Sequence, residues 1–245
     1  MRITRCPIDL PLHTGQTLVL PEDTANHLVR VMRLREGDGC VLFNGDGNDY
    51  HATVVSAGKR DAQVHVDSVH VVTVESPLRI VLLQGIARGE KMDLILQKAT
   101  ELGVAAIIPV DAERTEVKLD AARAIKRLAH WQNVVQSACG QSGRARIPEV
   151  LAPAPLAQAA NALAPDTLRL TLDPQGSHRL STLDAAPAGG IVIAIGPEGG
   201  WSPRDRLQLE AAGFQGLQLG PRILRTETAG LAAIAALQAR LGDLG

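Results

Sequence analysis

Two loops carry the residue types best suited to chemistry. Gly196-Pro197-Glu198-Gly199-Gly200 follows directly on the apolar run Ile191–Ile195, and Gly220-Pro221-Arg222-Ile223-Leu224-Arg225-Thr226-Glu227-Thr228-Ala229 follows on Leu217–Leu219. Glycines let backbone approach a ligand closely, and prolines stiffen the turn that presents it. The N–H and C=O groups of such loops can hydrogen-bond an adenine edge or a ribose. Arg225, Thr226, Glu227 and Thr228 set a guanidinium, two hydroxyls and a carboxylate at the mouth of a helix rich in Ala and Leu. Each feature also has a plainer reading. The first loop suits a tight strand-to-helix turn, Thr226 an N-cap, and Arg225 with Glu227 a surface ion pair. Residue type alone does not separate these.

Other chemistries are excluded more firmly. No GxGxxG follows a strand and no GxxxxGK[ST] is present, which removes the dinucleotide fingerprint and the nucleoside-triphosphate P-loop. Five of the seven histidines are scattered through the N-terminal part without HExxH spacing, so no metal is expected. Cys6, Cys40 and Cys139 are far apart and odd in number, without a CxxC pair. The opening Met1–Gly15 has no apolar signal core, and no run approaches the roughly 20 apolar residues of a membrane span. A cytoplasmic protein with reduced thiols and no membrane is expected.

These loops need a sheet to position them. From Pro77 onward strands and helices alternate: Arg79–Gln84, Ala105–Val110, Thr167–Leu172, Ile191–Ile195 and Leu217–Leu219 read as strands. Helices are expected over Glu90–Leu102, stopped by Gly103, and over Leu119–Ala138 with Ala122, Ile125, Leu128, Val135 and Ala138 on one face. Two more are expected, from a Ser202 cap to Gly213 and over Thr226–Leu241. Such alternation predicts an α/β fold with a mostly parallel sheet, whose ligands bind beyond the carboxyl ends of the strands. Residues 1–72 have another texture. Short runs at Thr17–Leu20, Cys40–Phe43, His51–Val55 and Gln63–Val66, punctuated by glycine turns including Ala57-Gly58-Lys59, predict a small β-barrel. One helix over Asp23–Met32, capped by Asp23 or Thr24, interrupts it. The expected division is 1–72 and 73–245.

A hydrophobic fraction of 45% supplies a core, while 2% aromatic residues leave few rings for stacking on exposed bases. The formal net charge of −1 does not announce a nucleic-acid partner. Between Arg114 and Arg146, however, seven basic residues face two acidic ones, a net of +5. That patch suits a phosphate backbone or the solvated face of a helix.

Taken in order, the motifs resemble the ribosomal RNA small subunit methyltransferase E family of the SPOUT superfamily. They are Arg88-Gly89-Glu90-Lys91-Met92, Gln97-Lys98-Ala99-Thr100-Glu101-Leu102-Gly103, Glu113-Arg114, Gln141-Ser142-Gly143-Arg144 and the two loops above. His27–Leu34 with Gly37-Asp38 resembles the family's opening domain. The resemblance covers nearly the whole chain. One departure is Gly140, where family members often carry glutamate before the QSGR-like segment.

The resemblance implies a PUA-like barrel over 1–72 and, over 73–245, an α/β domain with a C-terminal deep trefoil knot. It implies an S-adenosylmethionine-dependent transferase that methylates uracil N3 at one site of 16S rRNA, acting as a homodimer. The donor would be held by Leu172, Gly196, Pro197, Glu198, Gly199, Gly200, Leu219, Gly220, Ile223, Leu224, Thr226 and Ala229. RNA would be held by Arg30, Arg33, Arg88, Lys91, Arg114, Gln141 and Arg144. Arg225 is the candidate for stabilising charge on the uracil or anchoring a phosphate, and Glu227 is a candidate base or orienter. The rivals are another SPOUT enzyme with a different RNA target, a ribosome-assembly factor without catalysis, and a metabolic α/β enzyme.

Overall fold

A computed structural model describes residues 3–58 and 61–245; Met1, Arg2 and the Lys59 of the expected third turn lie outside the described residues. The chain divides into two compact units: Met1–Glu75 with Gln136–Ile147, and Ser76–Val135 with Pro148–Gly245.

The first unit contains β1 (Thr4–Pro7), β2 (Thr17–Val19), α1 (Glu22–Asn26), β3 (Gly39–Phe43), β4 (Asn48–Ala57) and β5 (Ala62–Val71). They form a five-stranded sheet in the order β1-β3-β4-β5-β2, antiparallel except for β1 on β3. The expected barrel takes the form of a sheet with β1 and β2 at its edges. Alternation builds its core: Tyr50, Ala52 and Val54 of β4 and Ala62, Val64 and Val66 of β5 point to one buried cluster. The strands run longer than their apolar runs because the outward half of each is polar.

The single helix expected over Asp23–Met32 is corrected. Pro21, not Asp23 or Thr24, is the N-cap of α1, and it makes no side-chain cap bond. A wide π-helical turn then spans His27–Val31, where the Met32 N–H reaches back to the His27 carbonyl at 3.0 Å. Arg33 follows at φ 59°, which breaks the helical path.

Arg5 ties the later segment into this unit. Its guanidinium pairs with Asp49, donates from Nη1 to the Cys139 carbonyl at 3.0 Å and lies 4.9 Å from the Phe43 ring centre. A Cβ at Gly140 would sit 3.2 Å from the Arg5 carbonyl oxygen, so a glutamate there would crowd β1. Cys6, Cys40 and Cys139 are free and buried. Burial pushes Cys6 up to about 12, helped by Cys40, and Cys40 up to about 11, helped by Asp67. Burial likewise pushes Cys139 up to about 12.

The second unit contains β6 (Ile80–Gly85), α2 (Glu90–Glu101), β7 (Ala106–Asp111) and most of α3 (Ala121–Ser142). β8 (Glu149–Val150), β9 (Ala154–Pro155), α4 (Leu156–Asn161), β10 (Leu168–Leu172) and β11 (His178–Arg179) follow. β12 (Ile191–Ile195), α5 (Pro203–Ala211), β13 (Gln215–Gln218) and α6 (Thr226–Leu241) complete it. The sheet runs β11-β13-β10-β12-β6-β7-β8, with β9 also on β7, and all its pairings are parallel.

Strands buried on both faces explain the continuous apolar runs. Val81 and Leu83 of β6 pack with Leu156 of α4 and Leu209 of α5 in one cluster. Leu82 and Gln84 face α6, where Gly230 admits the helix closely. Ser202 caps α5 through a reciprocal capping box with Asp205, as expected. The expected apolar face of α3 is corrected in its first half: Ile125 is 71% exposed, and full burial begins at Trp131. Among the described residues no helix is long and apolar enough to cross a membrane.

Candidate active site

The strand order reverses direction about β6 and β12, and the glycine loops leave the carboxyl ends of the strands beside that point. Pro197–Gly200 turns tightly, with the Gly200 N–H on the Pro197 carbonyl at 2.8 Å. Trp201 anchors the far side of this loop by donating its indole N–H to Thr171 Oγ1 at 3.1 Å. On the near side the loop presses on β6. A Cβ at Gly85 would lie 2.5 Å from Pro197 N and Cδ, so only glycine fits.

Thr226 joins the two loops. Its hydroxyl donates to the Gly196 carbonyl at 2.6 Å and accepts from Gln84 Nε2 at 3.1 Å. The N-cap reading of Thr226 is therefore corrected. Arg225 occupies the cap position without a side-chain cap bond, and Thr226 spends its proton on the neighbouring loop. Leu172 ends β10, Leu219, Gly220 and Leu224 lie in the loop between β13 and α6, and Ala229 lies in the first turns of α6. Ile223 is 93% exposed. Gly200 and Gly220 adopt φ of 64° and 85°, and the space a Cβ would take at each is open. A loop wall of accessible backbone beside open space suits a nucleoside-bearing donor.

Charge around the wall is arranged by Lys91. Its Nζ lies 3.5 Å from Glu198 Oε1 and 4.0 Å from Glu227 Oε2. Burial would raise the Glu198 carboxyl, but the Arg88 and Glu198 backbone amides and Lys91 outweigh it and hold the group below the ordinary carboxylate range. Arg88 donates its backbone N–H to Glu198 at 3.0 Å while its guanidinium pairs with Glu116. Arg114 donates from Nη1 to the Gly199 carbonyl at 3.0 Å. Glu227 Oε2 is buried and accepts no hydrogen bond. Arg225 is exposed and forms no ion pair among the described residues, so the Arg225–Glu227 surface pair does not form.

The remaining RNA candidates belong to the first unit. Arg30, Arg33 and Gln141 are exposed there. Arg144 is not: it is 5% exposed and grips Glu75 through Nε at 3.1 Å and Nη2 at 2.6 Å. Breaking a buried pair costs about 3–5 kcal/mol, and the 24% exposure of the Glu75 side chain discounts this to roughly 2–3 kcal/mol. Arg144→Met is thus expected to lower the denaturation midpoint measurably, whereas an unchanged midpoint would deny the pair a structural part. Sequence reasoning missed Gln84, Trp201 and the Arg5–Asp49 pair. The signal for Gln84 was present, since it is the one polar side chain in the run Ile80-Val81-Leu82-Leu83-Gln84-Gly85.

Comparison with known proteins bears on this geometry directly. Residues 74–238 match the RNA methyltransferase domain family, and residues 20–67 match the RNA methyltransferase PUA domain. A ribosomal RNA small subunit methyltransferase E from Neisseria gonorrhoeae, solved bound to S-adenosyl methionine, is 40% identical; the match covers 100% of both chains with a TM-score of 0.92. The Mycobacterium bovis protein of that name is 33% identical over 94% of this chain and 89% of its own. Its Buchnera aphidicola counterpart is 31% identical over 99% of this chain and 98% of its own. An RNA methyltransferase domain that matches two thirds of the chain, and relatives of that name at 33% and 40% identity over nearly its whole length, place this chain in the ribosomal RNA small subunit methyltransferase E family.

Proposed function

We propose that this protein transfers the methyl group of S-adenosylmethionine to N3 of a uracil in 16S rRNA of the small ribosomal subunit. The observation that carries the reading is the junction at Thr226, which makes one wall of the two glycine loops. Full-length likeness to a relative solved with S-adenosyl methionine supports the choice of donor. The reading includes a cytoplasmic location, where that RNA resides. It includes a homodimer, and a SPOUT fold whose C-terminal segment is tied in a deep trefoil knot. The insertion of β12 between β10 and β6, with α6 packed over β12, is compatible with such threading.

The residues fit a donor of this class. The backbone of Gly196–Gly200 and Gly220–Leu224 offers donors and acceptors for its adenosine, beside Leu172, Leu219 and Ala229. When bound, the donor supplies an electrophilic methyl on a sulfonium leaving group. The protein must place uracil N3, take its proton and stabilise charge on the flanking carbonyls. Glu227, in the first turn of α6 with one carboxylate oxygen 4.0 Å from Lys91 Nζ, is the candidate to receive the N3–H or to orient the group that does. Cytosine has no proton at N3 and would give this carboxylate nothing to accept. Arg225, exposed beside it, stabilises the uracil carbonyl charge or anchors a phosphate. Because pairing hides N3, the target base is unpaired or extruded. Arg30, Arg33, Arg88, Lys91, Arg114, Gln141 and Arg144 are the proposed RNA-holding set. Lys91 and Arg144 also serve the internal pairs described above.

Nucleoside mass spectrometry of 16S rRNA from cells with and without the protein tests the reading. Loss of N3-methyluridine at one site, restored by the gene, is expected. An unchanged level overturns the substrate, and 2′-O-methyl loss instead favours a different RNA target.

A further inference from the structure

Gln84 is the one polar side chain in β6, is 0% exposed, and stands where the two loops and the central strand meet. Its Nε2 donates to the Gly85 carbonyl at 2.8 Å and to Thr226 Oγ1 at 3.1 Å. The chemistry fixes which end of the amide faces this way. The Gly85 carbonyl can only accept. Thr226 has one hydroxyl proton, already given to the Gly196 carbonyl at 2.6 Å, so towards Gln84 it too can only accept. Both neighbours require an N–H, and the amide NH2 is the one group in β6 that supplies two.

The arrangement has a cost that stability alone does not explain. Turning NH2 to the loops leaves Oε1 buried without a donor, and a buried unsatisfied acceptor is destabilising. Leucine or methionine would remove that penalty but would leave the Gly85 carbonyl and Thr226 Oγ1 without the donor they have here. A buried amide that leaves its own oxygen unsatisfied while its NH2 bridges the strand end and Thr226 points to a role in holding the loops.

We propose that Gln84 is a positioning residue for the methyl-donor pocket. Through Thr226 it holds the Gly196 carbonyl, and with it the first glycine loop, against the start of α6. It touches neither substrate nor reacting atoms. Gly85 completes the device, because its missing Cβ lets Pro197 approach the end of the same strand. The inference rests on the reading of this wall as a S-adenosylmethionine pocket.

Isothermal titration of S-adenosylmethionine into the full chain tests it, with Gln84→Met, Thr226→Val and the double variant beside wild type. Gln84→Met is expected to remain folded, to bind the donor about tenfold more weakly, and to raise KM for it more than it lowers kcat. Thr226→Val is expected to weaken binding similarly, and the double variant little further, because both substitutions cut one chain of hydrogen bonds. Wild-type affinity in Gln84→Met, or single-variant losses that multiply in the double variant, would overturn the proposal. Should Gln84→Met fail to fold, Thr226→Val decides alone, and wild-type affinity there overturns it as well. Failure of the wild-type protein itself to bind the donor would instead remove the methyltransferase reading.

Discussion

Replacing Arg225 with alanine is expected to lower kcat for methyl transfer by about 10²–10³ while leaving S-adenosylmethionine binding within about twofold. The expectation follows from where the side chain stands. Arg225 is the cap residue of α6, exposed, and among the described residues no carboxylate neutralises it. The neighbouring Thr226 faces the other way, into the loop junction, and does the holding. A guanidinium free of structural work at the mouth of the wall is available to meet charge on a substrate. Single-turnover assays with ribosomal RNA and donor titration separate the possibilities. Preserved turnover removes Arg225 from the chemistry, and a parallel fall in donor affinity makes it part of the donor pocket instead.

The second large effect is expected at Gly85. An added methyl in Gly85→Ala would sit 2.5 Å from the backbone nitrogen of Pro197 and 2.9 Å from the Gly196 carbonyl carbon. Neither atom belongs to a flexible side chain, so the whole first loop must move. A displacement of about 1 Å at a positioning element can cost on the order of 100-fold in kcat/KM, and overpacking of this kind adds about 1–3 kcal/mol of destabilisation. Steady-state kinetics beside a thermal melt checks both. Wild-type kcat/KM in this variant would show that the loop tolerates displacement and that its approach to β6 is not needed for activity.

The parallel sheet was legible because burial on both faces leaves an unmistakable trace. Ile191–Ile195 is apolar at every position, and the expected and observed strands coincide there. Thr226–Leu241 was legible for a related reason, since its Ala-rich sequence has strong helix propensity. The first unit was harder. β4 and β5 are half-solvated, so their outer residues look like loop and the apolar runs understate their length. The split between α1 and the π-helical turn turns on Pro21 and the φ of Arg33, which a periodicity pattern does not register. For Ile125, helical spacing showed which residues share a face but not whether another element covers it.

At the site, residue types could mark both loops but could not join them. Thr226 looked like a cap because its partner carbonyl, Gly196, belongs to a different loop. The pairing of Lys91 with Glu198 and Glu227 was not legible because neither carboxylate is near it in sequence. The Arg5–Asp49 pair was invisible for the same reason: ion pairs obey no period.

The dependence of the N-terminal unit on Gln136–Ile147 has a consequence for biosynthesis. Arg5 is translated long before the Cys139 and Arg144 carbonyls that its guanidinium holds. The N-terminal sheet therefore waits, incompletely anchored, while Ser76–Val135 of the other unit is made. A nascent chain released near Val72 would lack the segment that finishes its fold. Such long sequence separation slows closure and lengthens exposure of unpaired strand edges. The newborn polypeptide is accordingly expected to lean on chaperones until translation passes Ile147.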